Sequence, residues 1–147
     1  MQKRQNKNNR TEKPDKNSNS GTTMNIVTGN LNITVQLNRT RTAEKLLDIL
    51  PVISNVSRWG DEIYFSIPLR ADIEDGVEEV EIGTVAFWPP GSALCIFFGP
   101  TPASHSDKPR AASPVTVIGR IVEIDADLIK RLKEVKNGEE VAVNFET

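Results

Sequence analysis

The stretch Phe87–Pro102, FWPPGSALCIFFGPTP, decides how the chain is read. From Ala93 to Phe98 the only side chain that is not hydrocarbon is the Cys95 thiol. A run this short, rich in Ile and Phe and bracketed by Pro-Gly and Gly-Pro, reads as a strand buried on both faces. Such a strand needs hydrogen-bonded neighbours on both edges and cover on both faces, so the remaining elements are expected to wrap around it.

Upstream, Thr84–Trp88 reads as a strand, and Trp88–Ser92 turns it back with Pro90-Gly91 at the centre of a type II turn. Val52–Trp59 and Glu62–Ile67 form the clearest hairpin, because Gly60-Asp61 suits a type II′ turn. That register sets Trp59 opposite Glu62, Ser57 opposite Tyr64 and Asn55 opposite Ser66. Val56, Ile63, Phe65 and Ile67 then share an aliphatic face with Arg58 at its end, and the opposite face is polar and aromatic.

Leu31–Leu37 alternates as a half-buried strand. Thr40 or Thr42 is expected to cap a helix over Ala43–Leu50, which Pro51 ends. Pro68–Glu79 is acidic and reads as a solvated loop, and Gly99–Pro114 as a long functional loop holding His105, the sole histidine. Val115–Ile124 is a strand with a bulge at Gly119-Arg120. Asp125 caps a helix over Ala126–Val135, closed at Asn137-Gly138, and Glu140–Phe145 alternates as the last strand. About seven strands and two short helices predict a mainly β fold, a closed antiparallel barrel, with an open sandwich as the structural alternative.

The chain has 147 residues and a net charge of −2 that hides a division. Residues 1–20 hold Lys3, Arg4, Lys7, Arg10, Lys13 and Lys16 against Glu12 and Asp15, while acidic residues outnumber basic ones in the rest. Residues 1–23 are polar apart from Met1 and are expected to form a disordered tail ahead of a single domain over 24–147. No apolar run spans a bilayer and no hydrophobic signal opens the chain, so a cytoplasmic protein without a membrane partner is expected. The body lacks a basic stripe interleaved with aromatics, which disfavours nucleic acid. One cysteine excludes an internal disulfide and leaves no zinc site. The Asn-x-Ser/Thr matches at Asn32, Asn38 and Asn55 read as chance.

RWGDEIYFSIP at Arg58–Pro68, GTVAFWPPGSALCIFFGPTP at Gly83–Pro102 and SPVTVIGRI at Ser113–Ile121 together resemble the cyclophilin-like barrel family of small prokaryotic proteins, Thermotoga-type. The resemblance covers nearly all of 31–124 and implies a cyclophilin-like barrel whose biochemical function is not settled. True cyclophilins isomerise prolyl bonds with residues on Phe-His-Arg and Phe-x-x-Gln-x-Gly segments. Neither segment occurs here: Ser106 follows His105 with no arginine beside it.

Three functions follow. The first expected is a pocket for a small ligand or short peptide beside the 52–67 hairpin, rimmed by the 99–114 loop. Trp59 and Tyr64 would stack, Arg58 and Glu62 would fix charge, and Thr101 or Ser104 would hydrogen-bond. The second is a peptidyl-prolyl isomerase in which Arg58, Trp59, Tyr64 and Phe98 imitate the cyclophilin site. The third is a non-catalytic partner subunit of a larger assembly. No nucleophile elbow, phosphate loop or cofactor motif is present, and Cys95 lies mid-strand where a thiol is inert. No catalytic residue, cofactor or metal is assigned.

Overall fold

The computed structural model describes Lys16 and residues 18–146. Ten strands and two α-helices follow one another: β1 (Asn19–Thr28), β2 (Leu31–Asn38), α1 (Arg41–Ile49), β3 (Val52–Asn55), β4 (Ser57–Arg58), β5 (Glu62–Ser66), β6 (Val77–Glu79), β7 (Thr84–Trp88), β8 (Ala93–Phe97), β9 (Arg110–Ile121), α2 (Ala126–Lys133) and β10 (Glu140–Phe145). The mainly β fold with two short helices is as expected.

The strands form one antiparallel sheet in the order β3-β10-β1-β2-β9-β7-β8-β5-β4, with β6 added to β9. Closure corrects the expected barrel. No hydrogen-bonded ladder joins the two ends of this path. The ends are β3 and β4, which a single residue, Val56, separates in the chain. One bent segment therefore serves both edges, β3 pairing with β10 and β4 with β5. The covalent chain, not a ladder, brings the edges together. For the same reason Asn55 lies opposite Glu140 rather than Ser66.

The rest of the hairpin matches its register. Ser57 pairs with Tyr64, and Trp59 and Glu62 exchange backbone hydrogen bonds of 2.9 and 3.2 Å. Gly60 takes φ +62, as the first central position of a type II′ turn requires. A second hairpin, β1–β2, turns at Gly29-Asn30 with Gly29 at φ +55. β1 was not expected. It begins at Asn19, inside the stretch assigned to the tail by composition, and it pairs with both β2 and β10. The expectation of disorder for residues 1–15 and 17 falls outside the described residues.

Two further expectations are corrected. Pro89–Gly91 forms a 3₁₀ turn followed by Ser92 at φ +45, not a type II turn. β9 starts at Arg110, so the long loop is shorter than its composition suggests.

Side chains on either face of the sheet pack into two cores. The larger holds Ile63 and Phe65 of β5, Val85 and Phe87 of β7, and Leu94 and Ile96 of β8 against β1, β2 and β10. The smaller, on the outer face, holds Ala86, Ala93, Cys95 and Phe97 with Ala111 and Val115. β8 alternates between the two, and all five of its residues are buried. A continuous apolar run is therefore what its position demands.

The part of the chain expected to be a solvated acidic loop is instead bonded to β9 and to the start of α1. Within it, β6 pairs with β9, and Glu78 contacts Arg110 at 2.5 Å. Glu74 accepts the Arg41 and Thr42 N–H groups at 3.1 and 2.8 Å and the Thr42 hydroxyl at 2.6 Å, while its own N–H donates to Thr116 Oγ1. Burial raises its pKa, but the donors from Thr42, Arg41 and Lys16 outweigh that and hold its carboxyl below the ordinary range. Both helix caps are as expected: Thr40 accepts from the Ala43 N–H at 3.1 Å, and Asp125 from the Leu128 N–H at 2.8 Å. The Asn38 amide donates to Val117 O at 2.7 Å, a structural role for one Asn-x-Ser/Thr match.

Candidate functional site

Because side chains alternate along β5, Ile63 and Phe65 point into the main core while Glu62 and Tyr64 point outward. On β8 the outward neighbours are Phe97, paired with Glu62, and Cys95, paired with Tyr64. The outward face of this hairpin borders a cavity of about 210 Å³. Trp59, Glu62 and Tyr64 line it from the hairpin and Trp88 from the end of β7, with Ala111, Ala112 and Val115 of β9 as the facing wall.

Trp88 is held in place by two contacts. Its indole Nε1 donates to Ser113 Oγ at 2.7 Å, and its ring lies where a Cβ on Gly91 would fall, 2.7 Å away. Trp59 is half-buried at the hairpin tip, anchored by its backbone exchange with Glu62.

Glu62 is the unusual member. Its residue is 6 % exposed, and none of the ion pairs among the described residues includes it. Burial penalises the charged form and pushes its pKa up to about 7, only partly offset by the neighbouring Cys95 thiol. The thiol is pushed well up in turn, first by its own burial and then by Glu62. Cys95 is thus kept protonated, as its mid-strand position suggested.

Of the seven residues assigned to a pocket from sequence, the structure brings together Trp59, Glu62 and Tyr64. The other four lie elsewhere. Arg58 alternates to the opposite face, where its guanidinium donates to the carbonyls of Leu132, Lys133 and Val135 at 3.2, 2.7 and 2.8 Å and to Gly60 O at 3.1 Å. It also stands 5.4 Å over the Phe98 ring and 3.7 Å from Asp61. It closes the C-terminal end of α2, where unpaired carbonyls favour a cation. Phe98 is part of the main core. Thr101 and Ser104 organise their own loop, Thr101 Oγ1 donating to Arg110 O at 2.5 Å and Ser104 Oγ to Lys108 O at 2.7 Å.

Arg58→Ala is therefore expected to act on the fold and not on the cavity. Loss of charge-assisted bonds to the end of α2 should cost about 2 kcal/mol in denaturant unfolding, with binding in the cavity unchanged. Equal stability of Arg58→Ala and wild type would show that α2 does not depend on this cap.

Trp88, Ala111, Ala112 and Val115 were not among the candidate site residues expected from sequence. Trp88 had a usable signal, since it lies an even number of residues from Ala86 on a strand expected to flank β8. Ala111 and Ala112 had none, because they fell within an expected loop, and Val115 opened an expected strand whose partners the sequence does not name. A larger groove of about 510 Å³ runs along β6, β2 and β9; of its four acidic residues, Glu74 is satisfied at the start of α1 and Glu81 is paired with Lys108. No cluster of metal-ligating side chains occurs among the described residues. No helix among them is long and apolar enough to cross a membrane.

An incompletely laddered antiparallel sheet with a small aromatic cavity on its outer face defines the class of this protein: a mainly β, barrel-like fold with a surface cavity. Comparison with known proteins makes it specific. The family described as Cyclophilin-like matches residues 22–144, and the chain belongs to that family. The chain is also similar to a hypothetical protein from Archaeoglobus fulgidus known from a solution structure. The two are 39 % identical, with 88 % of this chain and 98 % of that one covered and a TM-score of 0.73. A comparison with curated proteins returns no match.

Proposed function

We propose that this cyclophilin-like chain is a binding module that takes one compact group, of a small molecule or of a short peptide, into the cavity between Trp59, Tyr64 and Trp88. The observation that supports this reading is Glu62: a carboxyl buried in an aromatic-walled cavity, in no ion pair among the described residues, costs stability unless an incoming group uses it. Aromatic walls with one convergent polar group are the usual composition of a ligand site. At about 210 Å³ the cavity lies below the roughly 300–1,000 Å³ of sites for drug-sized ligands, so it suits a single group.

The isomerase reading has less support. It requires a free arginine beside an apolar pocket, whereas the Arg58 guanidinium is committed to the carbonyls that end α2.

The test is a set of small aromatic, alkyl and amide fragments screened by NMR. Binding is expected to shift the Trp59 and Trp88 indole N–H signals together with the amides of Ala111–Val115, and Trp88→Ala should abolish it. Fragments that bind only in the groove along β6, or nowhere, would overturn the proposal.

A further inference from the structure

Three features of the cavity point to the charge of its ligand. Its mouth and walls carry three aromatic side chains, Trp59, Tyr64 and Trp88, from two different strands and a turn. Electron-rich ring faces attract cations and, in groups of two or three, select alkylated ammonium over water. The lining holds a single carboxyl, that of Glu62, whose residue is 6 % exposed. Among the described residues no ion pair includes it. Facing Glu62 are Tyr64 on β5, Cys95 and Phe97 on β8, and the uncharged Ala111, Ala112 and Val115 on β9. The nearest β9 cation in sequence, Arg110, is paired with Glu78, and Asp61 at the hairpin tip is paired with Arg58 and Lys133. The remaining wall is small and apolar, which favours a methylated head over a strongly hydrated primary amine.

We propose that the cavity recognises an organic ammonium cation, an alkylated amine about the size of a trimethylammonium group, caged by Trp59, Tyr64 and Trp88 with Glu62 as its counter-charge. This rests on the binding-module reading above and names its ligand class. The group arrives free in solution or at the tip of a methylated lysine side chain. Glu62 must be ionised to hold it, and its raised pKa makes the site sensitive to pH. The cation binds with release of a proton from Glu62, so affinity rises with pH until the carboxyl is ionised in the empty site.

The test uses the intact chain and two matched pairs of probes, followed by calorimetry and by Trp fluorescence. The first pair is choline and its neutral carbon isostere 3,3-dimethylbutan-1-ol. The second is a short peptide bearing trimethyllysine and the same peptide bearing the neutral carbon analogue. The cation of at least one pair is expected to bind about tenfold or more tightly than its isostere. A preference in both pairs identifies the ammonium head as sufficient; one confined to the peptides identifies a side-chain ligand.

Affinity for the preferred cation should rise about tenfold between pH 6 and pH 8, the change in the ionised fraction of a carboxyl that titrates near 7. Glu62→Gln should remove both that rise and most of the preference, while binding of the neutral isostere persists. Should Glu62→Gln fail to fold, the cation-to-isostere ratio of the unaltered protein decides alone. Isosteres that bind as well as the cations overturn the cation assignment and leave the binding-module reading standing. No binding of any of the four probes overturns both.

Discussion

Glu62→Gln is expected to stabilise the fold at pH 8 by about 2–3 kcal/mol and to leave it almost unchanged near pH 4.5. The carboxyl is pushed up to about 7 in the folded protein, from an ordinary value of 4.5, because burial disfavours its charge. The folded state therefore holds this proton more tightly than the unfolded chain does. Its contribution to stability is fully present below pH 4.5, declines as pH rises toward 7, and is absent above. The amide is neutral throughout and of the same size, so it does not pay this cost. Urea unfolding of both proteins at half-unit steps from pH 4.5 to 8.5 provides the measurement. The other carboxylates, including the depressed Glu74, are common to both proteins and cancel in the difference. A difference that stays constant across the range would mean that Glu62 titrates normally and is not confined as described. A carboxyl retained at a net cost to stability is what a site with an incoming counter-charge requires.

Gly119→Ala is expected to lose about 3 kcal/mol or more, among the largest effects of any single methyl group in this chain. Gly119 sits where β9 lies between β2 and β7, paired with Leu37 on one side and Val85 on the other. The β7–β9 register slips beside it: Val85 pairs with Gly119 but Ala86 with Val117, which leaves Ile118 as the extra residue of a bulge. A Cβ on Gly119 would fall 2.4 Å from Gln36 O and 3.2 Å from Leu37 Cα, both backbone atoms that move only if β2 moves. Its φ is not positive, so the requirement is for space and not for conformation. Gly21→Ala is the natural contrast. There φ is +84 and no atom lies within 4 Å of the new Cβ, so only backbone strain of about 1 kcal/mol is expected. Chemical denaturation of the two variants checks the pair, and a Gly119→Ala variant no less stable than Gly21→Ala would sink the close-approach account.

Much of the fold was legible because local rules dominate it. Thr40 and Asp125 announce their helices through a hydroxyl or carboxylate that reaches the third N–H beyond. Gly60-Asp61 specifies its turn by φ, and the turn sets the register that puts Glu62 and Tyr64 on one face. β1 and β6 escaped for opposite reasons. The first five residues of β1 look like tail by composition, and they are ordered because β2 offers its edge to Asn19 and Thr23 and the rest of β1 is held between β2 and β10. β6 is too short and too charged to show a period, and it forms because β9 presents an unpaired edge.

The site was half legible. Trp59, Glu62 and Tyr64 were named from alternation alone. Arg58, Phe98, Thr101 and Ser104 were placed by proximity in sequence, and their side chains instead meet the end of α2, the main core and their own loop.

The amino-acid sequence by itself determined that β8 is buried on both faces, that a tight hairpin runs antiparallel to it, and that the chain is a mainly β member of a cyclophilin-like family. Each of these follows from composition, turn chemistry or motif order within a few residues. Only the tertiary structure decided what covers the outer face. The Ala111–Val115 wall and Trp88 come to Glu62 from segments far apart in sequence. Their apolar cover removes water from its carboxyl, and no ion pair among the described residues compensates it. That desolvation turns an ordinary surface glutamate into a group that titrates near neutrality, and it is a property of the packing that no residue of the hairpin carries alone.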